Sequence, residues 1–256
     1  MADIPDHLLS TKRLTTSEAD LPIARPLSRS VLILLTCGTA GSLLFTITYL
    51  VEGATRPDYN AWQQAVSALS LGPGGWVQQV NFVFFGLVTI AMAFVWRQIL
   101  KGDVGATWYP ILRGLEGLGM IVDGFFSQDP APGYPKGALL TPPTLQGTIH
   151  TIFAFVCITS IAVGYFVLAR RFAQEPDWRH GWTVYAAISG LLTMLLIAVF
   201  GTLTSQHSAI AGLFERLATS GVSTPFGLIL LIRVWLGAGF ASPSILSRGR
   251  CGAQLE

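Results

Sequence analysis

Charge is what this chain has least of. Only 12% of its 256 residues are Asp, Glu, Lys or Arg, about half the share of an ordinary soluble domain, while 51% are hydrophobic. That balance argues against a water-soluble fold. Cysteine is scarce as well: Cys37 and Cys157 lie in apolar runs and Cys251 in the C-terminal tail. No two of them share an aqueous loop, which excludes a disulfide framework. Metal-binding pairs of the HxxxH or HExxH kind are missing, and so is any repeat of fixed period. The net charge of +2 is spread over the loops, so nucleic acid is not the expected partner.

What remains is a series of apolar runs with no polar block large enough to fold separately. A span needs about 20 residues to cross roughly 30 Å of hydrocarbon. Six stretches meet that length: residues 30–51, 76–96, 107–126, 145–169, 181–203 and 220–241. The expected fold class is therefore all-α, a polytopic membrane helical bundle over residues 30–242. Residues 1–29, which mix Asp, Ser, Thr, Lys and Arg with Pro22 and Pro26, read as a disordered tail without a signal-type apolar run. Residues 243–256 read as a second tail, and the first span as a signal anchor that stays attached.

Loop charge gives these spans a direction. One set of flanks holds Lys12, Arg13, Arg25, Arg29, Arg97, Lys101, Arg170, Arg171, Arg179, Arg248 and Arg250, and the other only Arg56, Lys136 and Arg216. By the positive-inside rule both termini are expected in the cytoplasm, in the plasma membrane. Most of the Trp residues fall near span ends, where interfacial anchors sit.

The longer loops belong to the extracytoplasmic side in this reading. Residues 52–75 start with a turn at Arg56-Pro57-Asp58, and Trp62, Val66 and Leu69 then fall at helical spacing, which suggests a short interfacial helix on the outer surface. Residues 127–144 are too rich in Pro and Gly for regular structure. The segment Gly212 to Ala218 reads as one amphipathic turn leading into the sixth span.

Ionisable residues inside spans are costly and mark candidate sites. On the third span Glu116 and Asp123, seven residues apart, fall within roughly 20° of each other around the helix. Arg113, three residues before Glu116, is within reach of an ion pair, to which Arg233 of the sixth span could add. Asp123 has no basic neighbour on its own helix, and His150 enters the fourth span at comparable depth. Asp129, His207 and Ser67 approach from the same side. Asp123, Asp129, His150 and Ser67 are thus the catalytic candidates, and His150, His207 and Asp129 a possible divalent-metal set. The bland alternative is that Arg113, Glu116 and Arg233 only hold helices together, that Asp129 before Pro130 is a turn residue, and that His150 is a hydrogen-bonded interface residue.

The segments RPDYNAWQQAVSALSLGPGGW, GLGMIVDGFFSQDPAPGYPKG, QGTIHTIFAF and GLFERLA together resemble the membrane family catalogued as domain of unknown function 998, over roughly residues 30 to 240. The resemblance rests most on Ser67 to Leu69, Gly124 to Pro130 and His150. It implies a bundle of about six helices and no established activity. Three functions stay open: a hydrolase or transferase acting on a lipid-like substrate at an outward-facing Asp/His site, a small-molecule or proton-coupled transporter, and a non-catalytic partner or sensor subunit. The expected partners are the bilayer and a lipid or small-molecule ligand on the extracytoplasmic side.

Overall fold

The computed structural model describes residues 27–131, 133–139, 142–175 and 180–236. Most of both expected tails, and the last residues of the sixth expected span, lie outside them. The described residues form helices and no strand: α1 (Arg29–Thr55), α2 (Trp76–Ile99), α3 (Trp108–Phe125), α4 (Leu145–Phe172), α5 (Gly181–Ser205), α6 (Ala211–Arg216) and α7 (Val222–Trp235). A 3-10 helix, Val66–Ser70, lies between α1 and α2, and a π-helical turn, Leu217–Gly221, joins α6 to α7. Helix ends are capped where the sequence allows it. The hydroxyl of Ser28 accepts from the Val31 N–H at the start of α1, and that of Thr144 accepts from Gly147 N–H at the start of α4.

Five stretches are long and apolar enough to cross a membrane: Arg29–Thr55, Trp76–Ile99, Leu145–Phe172, Gly181–Ser205 and Ala211–Trp235. This is a multi-pass membrane protein. Helix α3, the third expected span, is not among the five because its 18 residues carry Arg113, Glu116 and Asp123. It packs between α2 and α4, with its heaviest contact on α2. Glycine permits that approach: a Cβ at Gly117 would meet the Gly86 carbonyl oxygen of α2 at 2.6 Å, and one at Gly119 the Phe153 carbonyl oxygen of α4 at 2.9 Å. The side chains left facing outward on the other helices are apolar, as on α5, where Val184, Ile188, Leu191 and Leu195 are all exposed.

Two local expectations are corrected. The segment around Val66 is not a surface helix, because Val66, Ala68 and Leu69 are buried among Phe45, Tyr49, Phe82 and Met120. Its apolar side chains outweigh the polar ones, and the 3-10 turn plugs into the bundle while Trp62 stays exposed. The segment from Gly212 is no separate turn, since α6, the π-helical turn and α7 run on as one helical stretch that starts nine residues earlier than residue 220. Arg171, counted among the flank charges, is buried. It is 1% exposed and ion-paired with Asp103 at 2.7 Å and with Glu175, which ties the end of α4 to the α2–α3 loop.

The loops preceding α2, α4 and α6 gather at one end of the bundle. There the Gly212 and Leu213 N–H groups donate to the carbonyls of Gln63 and Trp62, and the Gln79 amide donates to Ser127. We refer to this end as the loop-rich face.

Candidate functional site

Helix α3 delivers the first charged group to the interior. Glu116 is 2% exposed and its carboxylate accepts from Arg113 one turn earlier at 2.5 Å. The two share a helix face at a spacing of three residues, so the pair forms without any tertiary adjustment. Arg233 lies with its guanidinium over the Trp182 ring, 5.7 Å from the centroid.

Two turns further along, Asp123 meets His150 of α4, with 3.3 Å between Oδ1 and Nδ1. Both are 4% exposed. The same Nδ1 lies 2.8 Å from the Phe126 carbonyl oxygen at the end of α3. A carbonyl can only accept, so Nδ1 carries the proton and the neutral imidazole keeps Nε2 as its acceptor. The imidazole is thereby fixed in orientation, and Asp123 Oδ1, buried without a hydrogen bond among the described residues, lies beside an N–H already directed at a carbonyl.

A third buried carboxyl group comes from Glu215 of α6, 8% exposed. Its Oε2 accepts from the Val66 N–H at 2.6 Å, so it also pins the 3-10 helix. Sequence reasoning missed Glu215 because it placed Gly212 to Ala218 outside the span. Extending the apolar helix of α7 backwards by two turns would have brought it inside.

Glu116, Asp123 and Glu215 converge on one cavity of about 70 Å³, which Ser67, Met120, Cys157 and Ser220 also line. A second cavity, of about 120 Å³, shares Glu116, Ser42, Phe85, Ile161 and Ser223 with the first and continues to Arg113, Tyr109 and Trp96. Together they follow α3 from the loop-rich face toward the opposite end. His150 does not line either cavity among the described residues; it stands behind Asp123.

The other candidates lie elsewhere. Asp129 accepts from the Thr144 N–H at 3.0 Å and the Thr144 hydroxyl at 2.6 Å, which fixes the capping residue of α4. His207 lines a separate cavity with Gln63 and Phe200. Among the described residues no group of three or more His, Cys, Asp or Glu side chains is arranged to hold a metal ion, so His150, His207 and Asp129 do not form a metal set, although Asp129 interacts electrostatically with His150.

On the loop-rich side, next to Glu215, Arg216 forms a cation sandwich with two tyrosines. The Arg216 guanidinium lies 5.9 Å from the Tyr49 ring centroid and 5.8 Å from that of Tyr59. It donates to the carbonyls of Gln64 at 2.9 Å and Gly212 at 2.8 Å, and to the Tyr59 hydroxyl. Tyr59 in turn donates to the Ala65 carbonyl at 2.8 Å. Burial pushes the Tyr59 phenol well above the ordinary tyrosine range, with Arg216 opposing in part, so it stays a neutral donor.

No curated protein and no solved structure matches this chain. A family model described as Protein of unknown function (DUF998) matches residues 39–232, a stretch that holds all three cavity carboxylates, His150 and the Arg216 sandwich; the chain belongs to the DUF998 family.

Proposed function

We propose that this protein is a proton-coupled carrier of a small cationic or protonatable solute. The observation that carries this reading is the pair of adjoining cavities that meet at Glu116 and follow the acidic face of α3. Carboxyl groups inside a bundle are natural stations for protons and cations. Here three of them line one path: Glu215 and Asp123 toward the loop-rich face, and Glu116 deeper, backed by Arg113. A solute cation and a proton compete for the same carboxylates, which is the elementary requirement for exchange. The 3-10 helix Val66–Ser70, held by Glu215, is the barrier at the loop-rich end.

In this reading the chain crosses the plasma membrane six times, with α3 as a crossing shielded by protein, and both termini are cytoplasmic. Arg113 compensates Glu116, and glycine contacts keep α3 against α2 and α4, so its charges need not face lipid. The loop-rich face, whose flanks carry Arg56, Lys136 and Arg216, is extracytoplasmic.

The test is proton flux in proteoliposomes loaded with a pH-sensitive dye, challenged with ethylamine, spermidine and tetraphenylphosphonium. Wild-type protein should couple proton movement to at least one of these, and Glu116→Gln and Asp123→Asn should abolish it. Flux that persists in the double variant, or wild-type vesicles that respond to none of the three, would overturn the reading.

A hydrolase or transferase acting on a lipid-like substrate is the second reading. It is favoured by Ser67 and Asp123 lining one cavity, with Asp123 against His150. Fluorophosphonate labelling of Ser67 in membranes, lost in Asp123→Asn, would shift the function to this chemistry.

A further inference from the structure

The third cavity, of about 110 Å³, lies at the loop-rich face outside the acidic path. Gln63, Gln128, Phe200, Thr204, His207 and Ser208 supply its lining. No Asp, Glu, Lys or Arg lines it among the described residues, so neither a phosphate nor an ammonium group finds a counter-charge. Amides, hydroxyls and an imidazole both donate and accept, and the chemistry that matches such a mixture is a cluster of hydroxyl groups on an uncharged ring. Phe200 adds an apolar surface for the ring's C–H face. Among the described residues none of the Gln63, Gln128 and His207 side chains is committed to a hydrogen bond within the protein.

The backbone provides an independent sign. Helix α5 ends in a Schellman arrangement, in which the Ser208 N–H donates to the Leu203 carbonyl at 2.9 Å and the His207 N–H to the Thr204 carbonyl at 3.0 Å. The residue between the helix and the turn must take a left-handed conformation, and it is His207, with φ of 53°. Glycine fills that position at no steric cost, whereas a side chain there is strained. Asn, Asp and His are the side chains that enter this conformation most readily, and the one present here lines the cavity. The opposite wall is fixed too, because Gly212 packs so closely on Gln64 and Ala61 that a Cβ there would lie 2.9 Å from the Ala61 carbonyl oxygen.

We infer that this cavity binds an uncharged, hydroxyl-rich ring, the chemistry of a hexosyl group, with His207 and Thr204 as its hydrogen-bonding contacts. A glycolipid head group entering beside Phe200 carries that chemistry. The same chemistry could instead come from a free sugar.

Full-length protein in phosphatidylcholine nanodiscs distinguishes these sources. One arm measures retention of glucosyl diacylglycerol against plain diacylglycerol by native mass spectrometry, and the other measures the rise in unfolding temperature with methyl glucoside. Selective retention of the glycolipid assigns the site to a lipid head group, and stabilisation by methyl glucoside alone assigns it to a soluble sugar; either result supports the inference. His207→Gly should leave the fold as stable as wild type or more so, yet weaken the responding arm roughly tenfold, the loss of one or two hydrogen bonds. Thr204→Val should act in the same direction. Failure of wild-type protein to prefer either glucosyl probe, or full binding in the His207→Gly/Thr204→Val double variant, overturns it.

Discussion

Replacing Glu116 by Ala tests whether the charges of α3 are paired in the way the structure shows. Glu116 is almost fully buried, whereas the Arg113 side chain retains 24% of its exposure. Removing the carboxylate leaves a guanidinium in the bundle whose Nε is already without a partner among the described residues. Breaking a buried ion pair from one side costs about 3–5 kcal/mol. Because Arg113 can reach some solvent or lipid head group, about 3 kcal/mol is the expected loss. Replacing both partners, as Arg113→Met with Glu116→Leu, removes the stranded charge together with its counter-charge and should be close to neutral, within about 1 kcal/mol. The assay is reversible unfolding of the purified protein by detergent titration, followed by the loss of tryptophan fluorescence, for wild type, both single variants and the double. A Glu116→Ala variant within about 1 kcal/mol of wild type, or a double variant as unstable as the single, would refute the pairing. The stable double variant also separates structure from transport, because it should fold but carry no coupled proton flux.

Further outcomes follow from other contacts. Gly117→Val places methyl groups against the Gly86 carbonyl oxygen and the side chain of Ile90, so it should cost about 1–3 kcal/mol by forcing α2 and α3 apart, measured in the same unfolding assay. Thr144→Ala and Asp129→Ala each remove part of the α4 cap and should each cost about 1 kcal/mol, with less than additive loss in the double and no change in proton flux; a loss of flux in Asp129→Ala at normal stability would show a role beyond capping. Burial raises the folded Tyr59 phenol above its ordinary value of 10.0, so above about pH 10 the unfolded chain ionises while the folded one does not. Stability should be intact below that pH and fall as the pH rises through the alkaline range, and Tyr59→Phe should flatten the decline in an unfolding series against pH.

Part of the site was legible because its contacts are local. Arg113 and Glu116 sit three residues apart, and Glu116 and Asp123 seven, so helical period alone puts them on one face. The approach of His150 to Asp123 was inferable from the antiparallel order of neighbouring spans. Glu215 was not, since its role depends on where a helix starts, and the polar GLFER segment hides a start nine residues before the apolar run. Asp129 and His207 are short polar residues in loops, where sequence fixes the residue type but not the partner.

By itself the sequence determined the all-helical membrane class, the family and the acidic face of α3, because hydropathy and helical period act over a few turns of chain. Tertiary structure alone decided that Val66–Ser70 is a buried plug, that three carboxylates from α3 and α6 share one cavity, and that His207 belongs to a different one. Those outcomes depend on contacts between residues as far apart as Val66 and Glu215, and packing, not local pattern, selects among the partners available at that range.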